Sequence, residues 1–66
     1  MDNLCQKVLE QLLQEYQSNH SRTIDVTLFN KLEHQALREL SKEGFVQISS
    51  DVADFVILTD KALSEA

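Results

Sequence analysis

Residues 36–63 constrain the fold of this chain more than any other stretch, because signals for several different elements follow one another there. An amphipathic helical pattern ends at Gly44, the only glycine in the chain. Two short runs of strand-forming side chains come next, at 45–48 and 55–58, separated by a polar segment. Strands joined this closely must pair antiparallel, and Thr59 then caps a short closing helix.

Apolar residues at spacings of three and four predict two longer helices. The first covers about 3–17, and the second covers about 27–43 with Asp25 or Thr27 as its cap. Alternating β-branched residues at 23–26 predict a very short strand that needs a partner. The side chains predicted to face or flank the core from the two helices are Leu4, Cys5, Val8, Leu9, Leu12, Leu13 and Tyr16, then Leu28, Phe29, Leu32, Ala36, Leu37 and Leu40.

The length of the chain allows one small domain, 1–66, and its charge limits the classes of partner that it can bind. A core of this size supplies only about 3–5 kcal/mol of stability. The net charge of −5 disfavours nonspecific binding to nucleic acid or anionic lipid but allows a local basic patch. The sequence has neither a membrane-spanning run nor the pattern of a signal peptide, and its lone cysteine favours a reducing, cytoplasmic setting.

The sequence has no pattern typical of a catalytic or metal site. His20 and His34 fall in a predicted loop and on a predicted helix face, without a nucleophile at a recognisable spacing. Metal binding would require Cys5 and both histidines to converge, and no paired spacing suggests it. We therefore expect no enzyme activity, no metal, no cofactor and no small-molecule ligand.

Residues 37–46 have the pattern L-x-x-L-x-x-x-G-F-V, and L-T-D-K-A follows the predicted hairpin at 58–62. This ordered set resembles the winged-helix superfamily, including small bacterial and phage-associated winged-helix proteins of unassigned role. The resemblance covers about 24–65. It implies an α+β, winged-helix-like fold in the order helix, short strand, helix, β-hairpin, short helix (60–65). It also implies that the helix before Gly44 is a recognition helix and that the hairpin is a wing.

The chain departs from that family in one respect. A full winged helix has two helices, a turn and then the recognition helix. Here only 27–43 is available for the helix-turn-helix pair, and its apolar spacing is continuous except near Asn30. The first helix of the pair is therefore either reduced to one turn or absent. Because that helix crosses the DNA backbone in helix-turn-helix proteins, its loss removes phosphate contacts.

Basic side chains recur along the outer face of the second predicted helix. The candidate recognition-helix residues are Lys31, His34, Gln35, Arg38 and Lys42. Arg38 and Lys42 can meet guanine or phosphate, and Gln35 or Asn30 can read adenine. Any solvated helix face gives a similar pattern. No acidic partner lies four residues away from these cations, so we expect no ladder of ion pairs within the helix.

The predicted wing counts against DNA binding. It consists of Ser49, Ser50, Asp51, Val52, Ala53 and Asp54. Its carboxylates would be repelled by phosphates, and no lysine or arginine offsets them. Arg22, in the loop after the first helix, is the one evident additional phosphate contact.

Apolar surfaces offer an alternative to DNA. One face of the hairpin, either Phe45 with Gln47 or Phe55 with Ile57, is expected to be incompletely covered, and exposed strand edges or apolar patches serve as docking sites. The apolar face of the first helix can serve in the same way. First-helix dimers are common in the family that the chain resembles.

These observations favour a small non-enzymatic binding module with a regulatory role. We predict that it acts by protein–protein interaction or self-association, with a protein partner or a second copy and no membrane. The alternative is a DNA-binding transcriptional regulator that uses the basic face of helix 27–43 for recognition.

Overall fold

The computed structural model describes residues 3–48 and 54–65. Within these residues the chain is α+β, with three helices and a three-stranded antiparallel sheet, which confirms the α+β part of the predicted fold class. The elements in chain order are α1 (Asn3–Asn19), β1 (Thr23–Asp25), α2 (Lys31–Lys42), β2 (Val46–Ile48), β3 (Phe55–Leu58) and α3 (Asp60–Leu63).

The sheet has the strand order β1-β3-β2, and both neighbouring pairs are antiparallel. Val56 of β3 lies opposite Ile24 of β1 and Ile48 of β2. Because side chains alternate along a strand, these three share the face that packs on the core. The short strand therefore extends the hairpin on its β3 side, and β3 is the partner that such a short strand needs.

The core lies between this sheet face and the helices, and α1 packs mainly against α2. The described residues that are buried are all apolar. They are Cys5, Val8, Leu9, Leu12 and Leu13 of α1, Ala36, Leu37 and Leu40 of α2, Ala62 of α3, and Ile24, Val26, Phe45, Val46, Val56 and Leu58 from the strands and loops. The predicted core face of α1 is thus confirmed, apart from Leu4 at its open end.

The second helix begins at Lys31 rather than at residue 27, and Asn30 is its cap. The Asn30 side chain accepts a hydrogen bond from the Glu33 backbone N–H (2.8 Å), and the Glu33 carboxylate accepts one from the Asn30 N–H (3.0 Å). This capping box satisfies two backbone donors at the helix start. The prediction that Asp25 or Thr27 caps the helix was wrong, because the continuous apolar spacing hid the Asn30-to-Glu33 signal.

Asp25 and Thr27 instead close the turn that follows β1. The Thr27 backbone N–H donates to Asp25 Oδ1 (2.8 Å), and the Thr27 hydroxyl donates to the same oxygen. These hydrogen bonds, the one from the hydroxyl first, lower the pKa of Asp25. A single turn, closed by the Phe29 N–H and the Val26 carbonyl (3.1 Å), takes the place of a helix between β1 and α2.

Gly44 ends α2, as predicted, with a φ of 87°. Its N–H donates to the Ser41 carbonyl (3.1 Å), and the Phe45 N–H donates to the Leu40 carbonyl (2.9 Å). This pair of bonds is a Schellman motif, which needs a left-handed residue at this position. The glycine is therefore explained by backbone geometry.

Thr59 joins the start of α3 to the end of α2. Its side-chain oxygen accepts from the Ala62 N–H (3.4 Å) and donates to the Gly44 carbonyl (2.6 Å). Lys61 adds a second connection, because its Nζ donates to the Glu43 carbonyl (2.6 Å) and lies 4.7 Å from the centre of the Phe45 ring. The predicted cap is confirmed, although α3 ends at Leu63 rather than at residue 65.

We expect Asn30→Ala to lower the free energy of unfolding by about 1 kcal/mol, because it removes the side-chain oxygen that accepts from the Glu33 N–H. The bond from the residue-30 backbone N–H to the Glu33 carboxylate does not depend on this side chain. Urea unfolding followed by circular dichroism measures this change. Asn30→Ser is the matched control, since serine also caps helices and should keep most of the stability. An equal loss for both variants would show that the cap does not stabilise α2.

Candidate binding surface on the second helix

Four of the five candidate recognition residues lie on the solvent-exposed face of α2. These residues, which we call the polar stripe, are Lys31, Gln35, Arg38 and Lys42. They lie opposite the buried face formed by Ala36, Leu37 and Leu40. The spacing of three and four residues therefore aligns three cations and one amide on a single outer face.

His34, the fifth candidate, lies beside the stripe and is half-buried. Its ring meets the Phe29 ring edge-on, with 6.4 Å between the centroids. That contact covers the turn between β1 and α2. The structure therefore gives His34 a packing contact and separates it from the four exposed residues.

One cation of the stripe has an acidic neighbour. Lys42 Nζ lies 3.7 Å from Glu39 Oε1, and both side chains are largely exposed. This is a single pair at a spacing of three residues, so it does not form the ladder of ion pairs that the sequence argued against. An exposed pair of this kind stabilises a helix by only about 0.3–0.5 kcal/mol, but it lowers the net positive charge of the stripe.

A groove runs beside the stripe, between the start of α1 and the length of α2. Its volume is about 400 Å³, and we call it the α1–α2 groove. Apolar residues form one part of its lining, namely Leu4, Cys5, Leu32 and Ala36. Polar residues form the rest, namely Gln35, Arg38, Glu39 and Lys42. The groove thus has an apolar floor and a charged rim.

Leu32 is 61% exposed and Leu4 is 38% exposed, although both were predicted to face the core. A helical wheel gives the direction of a side chain, but it does not say how far the neighbouring helix extends over it. Cys5, deeper in the groove, is buried, and its thiol donates to the Ala36 carbonyl at 3.9 Å. The groove was not predicted from the sequence.

Leu28 is 97% exposed, the highest value for any large apolar side chain in the described ranges. The prediction that it flanks the core was wrong, because residue 28 lies in the turn before α2 and helical periodicity does not apply there. It borders a hollow together with three carboxylates. We call this set the acidic edge; it consists of Glu15, Asp25, Leu28 and Glu33. Recognising the cap at Asn30 would have placed Leu28 outside the helix from the sequence, but it would not have revealed its exposure.

The outer face of the sheet carries Phe55 and Ile57, one of the two predicted pairs. Phe55 is 39% exposed and Ile57 is half-buried, whereas Phe45 is buried against the core. Gln47 is exposed opposite Ile57. The two predicted pairs therefore do not lie on opposite faces. Gln47 lies on the outer face with Phe55 and Ile57, and of the four residues Phe45 alone is buried.

Most of the predicted wing, Ser49, Ser50, Asp51, Val52 and Ala53, lies outside the described residues. Asp54 is described and exposed, and its carbonyl accepts from the Val26 N–H (2.9 Å). Arg22, the additional candidate phosphate contact, instead pairs with Asp60 at 2.8 Å. That pairing leaves Arg22 less available to a phosphate.

Two further properties of the described residues bear on function. In ranges 3–48 and 54–65, no cluster of three or more histidines, cysteines or carboxylates has a geometry that could hold a metal ion. No helix in the same ranges is long and apolar enough to cross a membrane.

Comparison with known proteins gave no match to a family model, to a curated protein or to a solved structure. Function is therefore inferred from the residues and geometry of this chain.

Proposed function

We propose that this chain is a non-enzymatic binding module that acts by protein–protein interaction, including self-association, in a regulatory role. The α1–α2 groove carries this proposal. It exposes Leu4 and Leu32 above an apolar floor, in a domain that otherwise buries its leucines on α1 and α2. Burying a fully exposed leucine contributes about 1.5–3 kcal/mol. Because Leu32 is 61% exposed and Leu4 is 38% exposed, a partner that covers the groove gains part of this amount from each side chain.

The rim of the groove supports the same proposal. Protein interfaces combine an apolar centre with a polar, solvent-accessible rim, and arginine is enriched in them. Arg38 and Gln35 lie on this rim with Lys42 and Glu39. The arrangement provides both apolar contact area and hydrogen-bonding groups that can orient a partner.

We also infer that the α+β layout is winged-helix-like. The order of elements and the strand order β1-β3-β2 support this assignment. In it, α2 is the recognition helix, the segment between β2 and β3 is the wing, and the turn at 26–29 stands where the first helix of the pair would lie. The cytoplasmic location stays a prediction from the single cysteine.

DNA binding by the polar stripe is the second candidate. The exposure of Lys31, Arg38 and Lys42 along one helix face favours it. Several contacts count against it. Glu39 partly neutralises Lys42, and Asp60 holds Arg22. With a net charge of −5, few other cations remain to release counterions from a phosphate backbone. Protein–protein interaction therefore comes first.

Two neighbouring substitutions separate these candidates. Leu32→Ser removes apolar area from the groove, and Lys31→Ala removes a cation from the stripe next to it. We expect Leu32→Ser to weaken self-association about tenfold, because it removes a partly buried apolar contact. Lys31→Ala should leave self-association unchanged. Sedimentation velocity over a concentration series measures both.

The DNA candidate predicts the reverse. A mixed-sequence duplex would shift the amides of residues 31–42 at low salt, with a log–log salt slope near about −3 for three neutralised phosphates. Lys31→Ala would reduce that slope by about 1. A protein that stays monomeric at millimolar concentration and shows these shifts would replace the protein-interaction proposal with DNA binding.

A further inference from the structure

The two surfaces described on this chain carry opposite charges. The α1–α2 groove has two cations, Arg38 and Lys42, and one carboxylate, Glu39, on its rim, which leaves it one net positive charge. The acidic edge instead places Leu28 among three carboxylates, Glu15, Asp25 and Glu33. We infer that the acidic edge of one copy of this chain docks in the α1–α2 groove of a second copy. This inference rests on the proposed function and names the partner that the groove takes.

The two surfaces meet α1 at different places, whereas on α2 they adjoin at Leu32 of the groove and Glu33 of the acidic edge. The groove meets α1 at Leu4 and Cys5, and the hollow beside the acidic edge meets it at Gln11 and Glu15. A rise of 1.5 Å per residue separates Leu4 from Glu15 by about 16 Å along the helix axis. The contact therefore joins two different surfaces, one from each copy.

Electrostatics favours this contact, acidic edge to groove, over other orientations of two copies. With a net charge of −5, two copies repel each other in most orientations. The groove rim is one of the places where cations cluster, and Arg38 makes no ion pair within ranges 3–48 and 54–65. The three carboxylates of the acidic edge are attracted to the cations of this rim, which offsets the repulsion between the two copies.

The apolar groups are complementary as well. Leu28 projects from a turn and is almost completely exposed, while the groove has an apolar floor between Leu4 and Leu32. Placing the Leu28 side chain against this floor removes apolar area of both copies from water, inside a polar rim of the kind that protein interfaces have. The contact area around one turn is small, so we expect a weak and reversible association.

Mixing two complementary variants tests this inference. Leu28→Ser removes the apolar group of the acidic edge but keeps the groove. Leu32→Asp places a carboxylate in the groove but keeps the acidic edge, and an acidic residue is favourable in the first turn of a helix. We expect each variant alone to self-associate at least about tenfold more weakly than the wild type.

An equimolar mixture should regain association, because it contains one intact groove and one intact acidic edge. Sedimentation velocity measures the regained complex. Isotope-labelled Leu28→Ser protein should also show amide shifts at residues 35–39 when unlabelled Leu32→Asp protein is added. Both positions are exposed, so thermal unfolding of each variant should match that of the wild type.

A charge-matched pair adds a second readout. Arg38→Glu and Lys7→Glu each replace a positive charge by a negative one and change the net charge from −5 to −7. Lys7 is exposed on α1 and does not line the groove. We expect Arg38→Glu to weaken self-association about tenfold relative to Lys7→Glu at the same ionic strength.

The outcomes separate this inference from the proposed function. If the wild type self-associates but the mixture does not, the docking of acidic edge into groove is overturned and self-association stands. Equal effects of Arg38→Glu and Lys7→Glu also count against it. A wild-type chain that is monomeric at millimolar concentration overturns the inference. If its α2 amides then respond to duplex DNA, the proposed function is overturned too.

Discussion

Leu12→Ala is expected to leave a large fraction of the chain unfolded at room temperature. Leu12 lies in the middle of α1 with 0% of its surface exposed, within the core that α1 forms with α2 and the sheet. Truncating a fully buried leucine costs about 3–5 kcal/mol, since the lost transfer energy and the remaining cavity both contribute. A core of this size supplies only about 3–5 kcal/mol in total, so the two quantities nearly cancel.

Leu28→Ala is the matched control for this experiment. It is the same chemical change at a side chain that is 97% exposed, so the free energy of unfolding should change by no more than about 0.5 kcal/mol. Far-ultraviolet circular dichroism and thermal melts measure both variants. A native-like melt for Leu12→Ala, or an equally damaging Leu28→Ala, would contradict the placement of these two leucines.

Gly44→Ala is expected to lower the free energy of unfolding by about 1–2 kcal/mol, because a side chain at positive φ is strained. Steric crowding of the added methyl group does not cause this loss of stability. A Cβ at this position would lie 3.8 Å from Lys61 Cδ, an ordinary van der Waals distance. The strain is purely one of backbone conformation, and it falls on the turn that connects α2 to β2.

Gly44→Asn provides the control, because asparagine adopts the left-handed conformation more readily than alanine does. It should recover part of the stability that Gly44→Ala loses, and urea unfolding measures the difference. If the asparagine variant is no more stable than the alanine variant, backbone strain is not the reason that glycine is needed. The Schellman motif would then contribute less than its hydrogen bonds indicate.

The end of α2 bears on the proposed binding surface, because it carries part of the polar stripe and of the groove rim. Gly44 directs the chain into β2, and Thr59 bonds the Gly44 carbonyl. Lys61 bonds the Glu43 carbonyl from α3. These contacts attach the end of α2 to β3 and α3, so that Arg38 and Lys42 project from a supported helix. A rigid helix face presents binding groups more precisely than a loop does.

Local signals in the sequence were sufficient for the element order. The helix stop at Gly44, the strand-forming runs on either side of the polar segment and the Thr59 cap each depend on a few neighbouring residues. Propensity and capping chemistry act at that range, so these predictions were confirmed. The start of α2 was misplaced because a continuous apolar spacing was given more weight than the capping box of Asn30 and Glu33.

By itself, the sequence determined that this chain forms one α+β unit with a basic outer face on its second long helix. Only the tertiary structure decided which apolar residues stay exposed. Leu28 and Leu32 belong to the same apolar pattern as Leu40, yet Leu40 is fully buried while they border the acidic edge and the groove. Burial depends on how far a neighbouring element extends over a side chain. Periodicity within one helix gives the direction of a side chain but no information on that extent.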